Sequence, residues 1–249
     1  MPESPERRSE SPEAKKARAR RILSALERAY PDAKIALDFT TPLELLVATI
    51  LSAQCTDERV NMVTPGLFRT YPSAADYAGL KPEILEKAIH STGFFRAKAR
   101  SIVGMARALV DEHGDEVPRD RGALVALPGV GLKTAKVVLS NAFGEPGIAV
   151  DTHVFRVSQR LGLARSEDSV EIHDQLTEVL PGRSWTRASH LFQAHGRRTC
   201  AARKPACPVC PVRALCPWID QQGGPGDGPP KPPAARRAPG NPTRSSRAR

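Results

Sequence analysis

The chain has 249 residues and a formal net charge of +10, with 37 Lys and Arg against 27 Asp and Glu. That length is enough for one large domain or two small ones with an ample hydrophobic core. No apolar run is long enough to cross a membrane, and the N-terminus lacks the apolar segment of a secretory signal. We therefore expect a cytoplasmic protein.

The positive charge is concentrated at the two ends of the chain. Residues 1–21 carry +3 and residues 219–249 carry +4, which leaves +3 for residues 22–218. Both ends are poor in apolar residues and rich in Pro, Arg and Ser, so we expect 1–21 and 219–249 to be disordered. Residues 179–218 have no acidic residue, which predicts a nucleic-acid-binding patch. Its basic residues are Arg183, Arg187, Arg197, Arg198, Arg203, Lys204 and Arg213.

The first predicted elements are helices. An apolar stripe of helical period starts at Ile22 and ends before Pro31. Thr41 then supplies an N-cap, followed by proline at the first helical position and a capping-box glutamate. The helix that follows, to about residue 53, is apolar nearly all round and should be central.

The remaining patterns continue the helical series. Thr56 can cap a helix that runs to about residue 71, and Gly114 is a plausible stop for another. The other predicted helices cover residues 82–90, 95–113, 152–161, 169–180 and 185–196.

A tight turn, Pro128-Gly129-Val130-Gly131, separates two helical patterns. Proline and glycine are unfavourable inside a helix, so the segment predicts helix, turn, helix. The first amides of the second helix would lack intrahelical partners and suit a phosphate group. An ordinary helical hairpin turn is the alternative.

Two titratable residues accompany this turn. Lys133 lies in the first turn of the second helix, opposite the stripe formed by Ala135 and Val138, and is either a solvated lysine or a nucleophilic amine at a cleft. Asp151 precedes the next helical pattern, where aspartate is a good N-cap. Spacing alone does not bring Asp151 to Lys133.

Four cysteines, Cys200, Cys207, Cys210 and Cys216, lie in a proline-rich loop with the spacing C-x6-C-x2-C-x5-C. They could form two disulfides, a zinc site or an iron–sulfur cluster. A cytoplasmic chain disfavours disulfides. Structural zinc more often uses two short C-x2-C pairs, and only one is present.

These motifs together resemble the endonuclease III family of helix-hairpin-helix base-excision DNA glycosylases. The resemblance rests on LPGVGLKTAKVVL, IAVDTHVFRV, LSAQCTD and the HGRRTC segment that begins the cysteine loop, and it extends over residues 22–218. It implies an all-α fold of two helical domains with an iron–sulfur loop at the C-terminal end. Residues 35–145 would form one domain with the hairpin, and residues 22–34 plus 146–218 the other.

The resemblance also implies the site residues. Lys133 would be the nucleophile and Asp151 its catalytic partner, and the four cysteines would hold a 4Fe-4S cluster. Gln54 would fill the space left by a flipped nucleotide, and Phe94 would wedge into the opposite strand. The implied DNA-contacting residues are Gln54, Phe94, Gly129, Val130, Gly131, Thr134, His153, Arg203 and Lys204.

The implied function is a bifunctional DNA glycosylase and abasic-site lyase. It would act as a monomer in the bacterial cytoplasm on nucleoid DNA that carries oxidised pyrimidines or abasic sites. Three alternatives remain at this stage: a monofunctional adenine-mismatch glycosylase, a non-catalytic DNA-binding module and a zinc-binding structural protein. The first normally lacks the hairpin lysine.

Overall fold

The computed structural model describes residues 10–218, and in that range the chain is helical without β-strands. The all-helical fold predicted from the sequence is confirmed. Within residues 10–218, no helix has both the length and the hydropathy that a membrane span requires. The helices are α1 (Pro12–Ala29), α2 (Pro42–Leu51), α3 (Asp57–Thr70), α4 (Ala74–Ala78), α5 (Pro82–Ile89), α6 (Phe95–His113), α7 (Arg121–Ala126), α8 (Leu132–Ala142), α9 (Thr152–Arg160), α10 (Ser169–Val179) and α11 (Trp185–Arg198).

Helix α1 corrects the expectation of a disordered segment at residues 1–21. It starts at Pro12, where the Ser11 hydroxyl caps the amide of Ala14. Arg18 anchors the early turns, because its guanidinium donates to Leu161 O at 2.6 Å. Composition could not reveal this distant acceptor. The rest of the expected disorder, in residues 1–9 and 219–249, lies outside the described residues.

The helix boundaries follow the capping signals closely. Thr41 and Glu44 form the expected capping box of α2, and Thr56 caps α3. Helix α6 begins and ends where the sequence predicts, with Gly114 in the left-handed region at φ 62°. The short helix α4, capped by Ser73, was not predicted.

Two hydrophobic cores are separate in space. The first contains helices α2 to α8, with Leu45, Tyr77 and Ile102 fully buried. The second joins α1 to α9, α10 and α11 through Ile22 and Phe192. The division into two domains stays a prediction, and these cores are the observation that supports it.

Candidate active site

A cavity of about 330 Å³ lies between the two cores. One wall is formed by the C-terminal end of α2 and by α8, and the other by α11. Lys133, Asp151 and Gln54 all line it, as does Thr134. The fold therefore gathers at one cleft four predicted site residues that come from different parts of the chain.

Lys133 stands at the start of α8, where the helix has no side-chain cap. The buried face of the same helix consists of Ala135, Val138 and Leu139, so the exposed Lys133 points away from the core as the helical wheel predicts. Its amine is accessible to a molecule bound in the cavity. Thr134 follows it and is half-buried.

Asp151 does serve as an N-cap. Its Oδ1 accepts the backbone amides of His153 at 2.9 Å and Val154 at 2.7 Å. Its Oδ2 receives no hydrogen bond from any group in residues 10–218. One oxygen is thus fixed by the start of α9, and the other remains available to a ligand in the cavity.

The hairpin turn needs a glycine at one position for two reasons. Gly129 has φ 78°, and a Cβ there would lie 2.5 Å from the Cβ of Ser101 on α6. A Cβ at Gly131, in contrast, would meet open space. Val130 buries its side chain and donates its amide to Leu127 O, so it offers no free donor to a phosphate. The amides of Gly129 and Gly131, on either side of Val130, donate to no group within residues 10–218.

Gln54 and Phe94 share an unusual backbone conformation. Gln54 has φ 53° and Phe94 has φ 47°, which puts both non-glycine residues in the left-handed region. Such a conformation costs about 1–3 kcal/mol and persists only when the surroundings enforce it. Both side chains are exposed, with Phe94 65% accessible. Phe94 is therefore a surface residue and not part of the hydrophobic core.

The basic patch predicted for residues 179–218 is smaller in the folded chain than in the sequence. Carboxylates from other segments neutralise three of its members: Glu27 pairs with Arg187, Asp57 with Arg197 and Asp32 with Arg198. Arg203 and Lys204 are exposed and form no ion pair within residues 10–218, and Lys204 is left-handed at φ 50°. These two remain free for an anionic partner.

His153 is not in the cavity. It packs against α11, where a Cβ on Gly196 would come within 3.0 Å of it, and its Nδ1 lies 3.2 Å from the Arg156 guanidinium. Burial lowers the pKa of His153, with a smaller opposing contribution from Asp151. The ring therefore lies at the contact between α9 and α11.

None of the four loop cysteines forms a disulfide within residues 10–218; each is half-buried, and three of them pack against the second core. Burial raises the pKa of Cys210, and the neighbouring Cys200 and Cys207 raise it further. No three His, Cys, Asp or Glu side chains within residues 10–218 form a ready-made metal-binding group. Four reduced thiols on one loop nevertheless form a donor set suited to iron–sulfur chemistry.

Arg160 fixes the start of this loop. The buried guanidinium donates to the carbonyl oxygens of Ala201 and Ala202 at 2.7 and 3.0 Å, and lies 3.3 Å from Cys200 Sγ. Sequence reasoning did not single it out, since its partners are about forty residues away.

A polar pair in the cavity wall was also missed. His190 Nε2 lies 2.8 Å from Asn141 Oδ1, which joins α11 to α8 across the two cores. Burial lowers the pKa of His190 to about 4, and Arg187 adds to this effect. Neither residue carries a motif, and only their three-dimensional proximity shows the pair.

An all-helical chain with a glycine-containing turn between α7 and α8 at a cleft has the architecture of helix-hairpin-helix proteins that act on DNA. The profile of the HhH-GPD superfamily of base excision DNA repair proteins matches residues 47–181. Endonuclease III of Synechocystis is 52% identical over 205 residues, which cover 82% of this chain and 94% of that protein.

Solved structures agree with these sequence matches. A trapped covalent endonuclease III–DNA intermediate has a TM-score of 0.78 at 45% identity and covers 83% of this chain and 98% of its own. A non-covalent endonuclease III–DNA complex has the same TM-score and identity, and the match covers 83% of this chain and 97% of the chain in that complex.

The chain belongs to the endonuclease III family within the HhH-GPD superfamily of base excision DNA repair proteins. It is a DNA glycosylase and abasic-site lyase, so the family and the enzyme class expected from the sequence are confirmed.

Proposed function

We propose that this enzyme removes oxidised pyrimidines from duplex DNA and then nicks the strand through a Schiff base on Lys133. The observation that carries the proposal is that Lys133, on α8, and Asp151, at the start of α9, line one cavity of about 330 Å³ although α8 and α9 pack in different cores. A flipped nucleotide is of a size for such a cleft. We propose that the two cores are two domains and that the enzyme works as a monomer on nucleoid DNA in the bacterial cytoplasm.

Lys133 is the nucleophile in this scheme. Its neutral amine attacks C1′ of the flipped nucleotide, a C–N bond forms, and the glycosidic bond breaks as the base leaves with its electron pair and takes up a proton. The sugar ring opens to give a Schiff base. Loss of a proton from C2′ then expels the 3′ phosphate, and hydrolysis of the Schiff base restores the amine.

Asp151 provides the negative charge that this sequence requires. Its Oδ1 is held by two amides, which fixes the carboxylate of this cavity-lining residue in one orientation and leaves Oδ2 without a hydrogen bond from residues 10–218. A preorganised carboxylate stabilises the cationic sugar of the transition state and can accept protons. It needs no reorganisation during the reaction.

DNA is held by four features of the chain. Gln54 and Phe94 enter the duplex, the first into the gap left by the flipped nucleotide and the second beside the opposite base. The turn formed by Gly129, Val130 and Gly131 binds a phosphate: Val130 braces the turn through Leu127 O, and Gly131 leaves open space for the phosphate. Thr134 and His153 contact DNA near the catalytic pair. Arg203 and Lys204 contact it from the cysteine loop.

Cys200, Cys207, Cys210 and Cys216 would hold a 4Fe-4S cluster. Such a cluster would supply a rigid cross-link for its loop. Arg203 and Lys204 lie between the first two cysteines, so the loop can present them to phosphates in a fixed geometry. About four irons per chain in protein purified under iron-replete conditions would support this assignment, whereas stoichiometric zinc would refute it.

Lys133→Ala tests the catalytic proposal. It should abolish strand nicking and the borohydride-trapped complex while leaving lesion binding largely intact, because the amine is the group that forms the covalent bond. Lys136→Ala, one turn further along α8, is the matched control and should retain trapping. A trapped complex with the Lys133 variant would mean that another amine is the nucleophile.

A further inference from the structure

Lys98 is a lysine with almost no access to solvent. It lies in the first turn of α6 with a relative exposure of 5%. Its Nζ donates to Leu51 O at 2.7 Å and to Thr92 O at 2.8 Å. It has no carboxylate partner within residues 10–218, and burial lowers the pKa of the amine, with Cys55 opposing. A buried amine bonded only to two carbonyl groups is costly and calls for an explanation.

The two carbonyl groups lie just before Gln54 and Phe94, which both have a left-handed backbone. Leu51 ends α2, three residues before Gln54. Thr92 ends a 3-10 turn, two residues before Phe94. Gly93, which lies between them, also has a positive φ, of 69°. Lys98 also donates its own backbone amide to Phe94 O at 3.1 Å. Lys98 thus contacts both of the loops that place Gln54 and Phe94.

The position of the amine suits this task. Helix α2 ends at Leu51, so the carbonyl of Leu51 lies at the negative end of the helix dipole, where a cation is favourable. A hydrogen bond from a charged donor is stronger than a neutral one, and the low dielectric around a buried pair strengthens it further. The amine can therefore resist relaxation of both loops at once.

We propose that Lys98 is a positioning residue that holds Gln54 and Phe94 at a fixed separation, so that both enter the duplex together. The proposal rests on the insertion roles given above to Gln54 and Phe94. A nucleotide leaves the base stack only if its place is filled, so a loss of register between the two side chains would make extrusion more difficult. The chemistry at Lys133 would be unaffected once the sugar is in reach.

Lys98→Met in the full chain is the test, because methionine fills the space without a donor. Single-turnover base release from lesion duplex should fall about tenfold or more, the equivalent of about 1.4 kcal/mol. Cleavage of a single-stranded abasic oligonucleotide, which needs little extrusion, should stay within about twofold. Lys87→Met removes an exposed lysine from α5, before the same loop, and should leave both rates unchanged.

Amide exchange separates positioning from general stability. Lys98→Met should speed exchange at residues 52–55 and at residues 92–95 together, with the rest of the first core unchanged. If base release from duplex and cleavage of the single-stranded abasic oligonucleotide fall in the same proportion, Lys98 is only a structural residue and the proposal is wrong. The same conclusion holds if amide exchange rises throughout the first core. Should the methionine variant not fold, Lys98→Gln, which keeps one donor, is judged by the same ratio of the two rates.

Two further variants distinguish a failure of this inference from a failure of the function on which it rests. Gln54→Ala and Phe94→Ala should each reduce base release from duplex. If neither does, the insertion roles are wrong. If both do while Lys98→Met behaves as the parent enzyme, those roles stand and only the role of Lys98 is overturned.

Discussion

Asp151 performs two tasks that a single substitution can separate. Its Oδ1 caps α9 through the amides of His153 and Val154, and the residue also lines the cavity. Asparagine caps helices about as well as aspartate, so Asp151→Asn keeps the cap and loses only the charge. The lost interaction with the helix dipole is about 0.3–1 kcal/mol of folding free energy. Asp151→Ala, which also loses the cap, should cost about 0.5–2 kcal/mol more.

The effect on catalysis should be far larger than the effect on folding. Removing one preorganised electrostatic group from an active site slows the chemical step by about 10²–10³-fold. The assay is single-turnover base release, with thermal unfolding of the same samples. The matched control is Asp168→Asn, because Asp168 caps α10 through Val170 N but is exposed and lies outside the cavity. If Asp151→Asn releases base at the parent rate, Asp151 is only a helix cap and the assigned mechanism is wrong.

Three further predictions concern the turn, the cavity wall and the cysteine loop. Gly129→Ala should lower the free energy of unfolding by about 2–5 kcal/mol, because residue 129 has a positive φ and the new Cβ would clash with Ser101 on α6. Gly131→Ala should change the free energy of unfolding by less than about 1 kcal/mol and weaken DNA binding. Equal thermal stability of the two variants would contradict this prediction. Burial lowers the pKa of His190 to about 4, so as the pH falls the unfolded chain binds a proton at this residue before the folded chain does. The free energy of unfolding of the parent enzyme should therefore fall between about pH 6.5 and pH 4, by roughly 3 kcal/mol for this group. Urea unfolding over this pH range should show that His190→Gln removes the loss. Arg203→Ser with Lys204→Ser should flatten the slope of log affinity against log salt by up to about two units at unchanged iron content, and an unchanged slope would exclude the loop from the DNA contact.

The sequence predicted the helices well because their ends carry local chemistry. Thr41, Thr56 and Gly114 act on backbone groups within a few residues, so their effect is readable without the fold. The predicted start of α1 was wrong because the contacts that stabilise this segment are not local. Its stability depends on contacts such as Arg18 to Leu161, which span more than a hundred residues.

The candidate site divides in the same way. Lys133 and Asp151 belong to recognisable motifs, but that they share a cavity is a property of the fold. The basic patch was overestimated because Glu27, Asp32 and Asp57 come from distant segments to neutralise it. A count of charges along one segment does not include such partners.

The central claim is that Lys133 forms the covalent bond to DNA, and mapping the bond tests it most directly. The parent enzyme is mixed with lesion duplex, reduced with borohydride and digested, and the peptide carrying the sugar remnant is sequenced by mass spectrometry. A single adduct is expected, on Lys133. An adduct on Lys136 or on any other amine, or base release with no adduct, would contradict it.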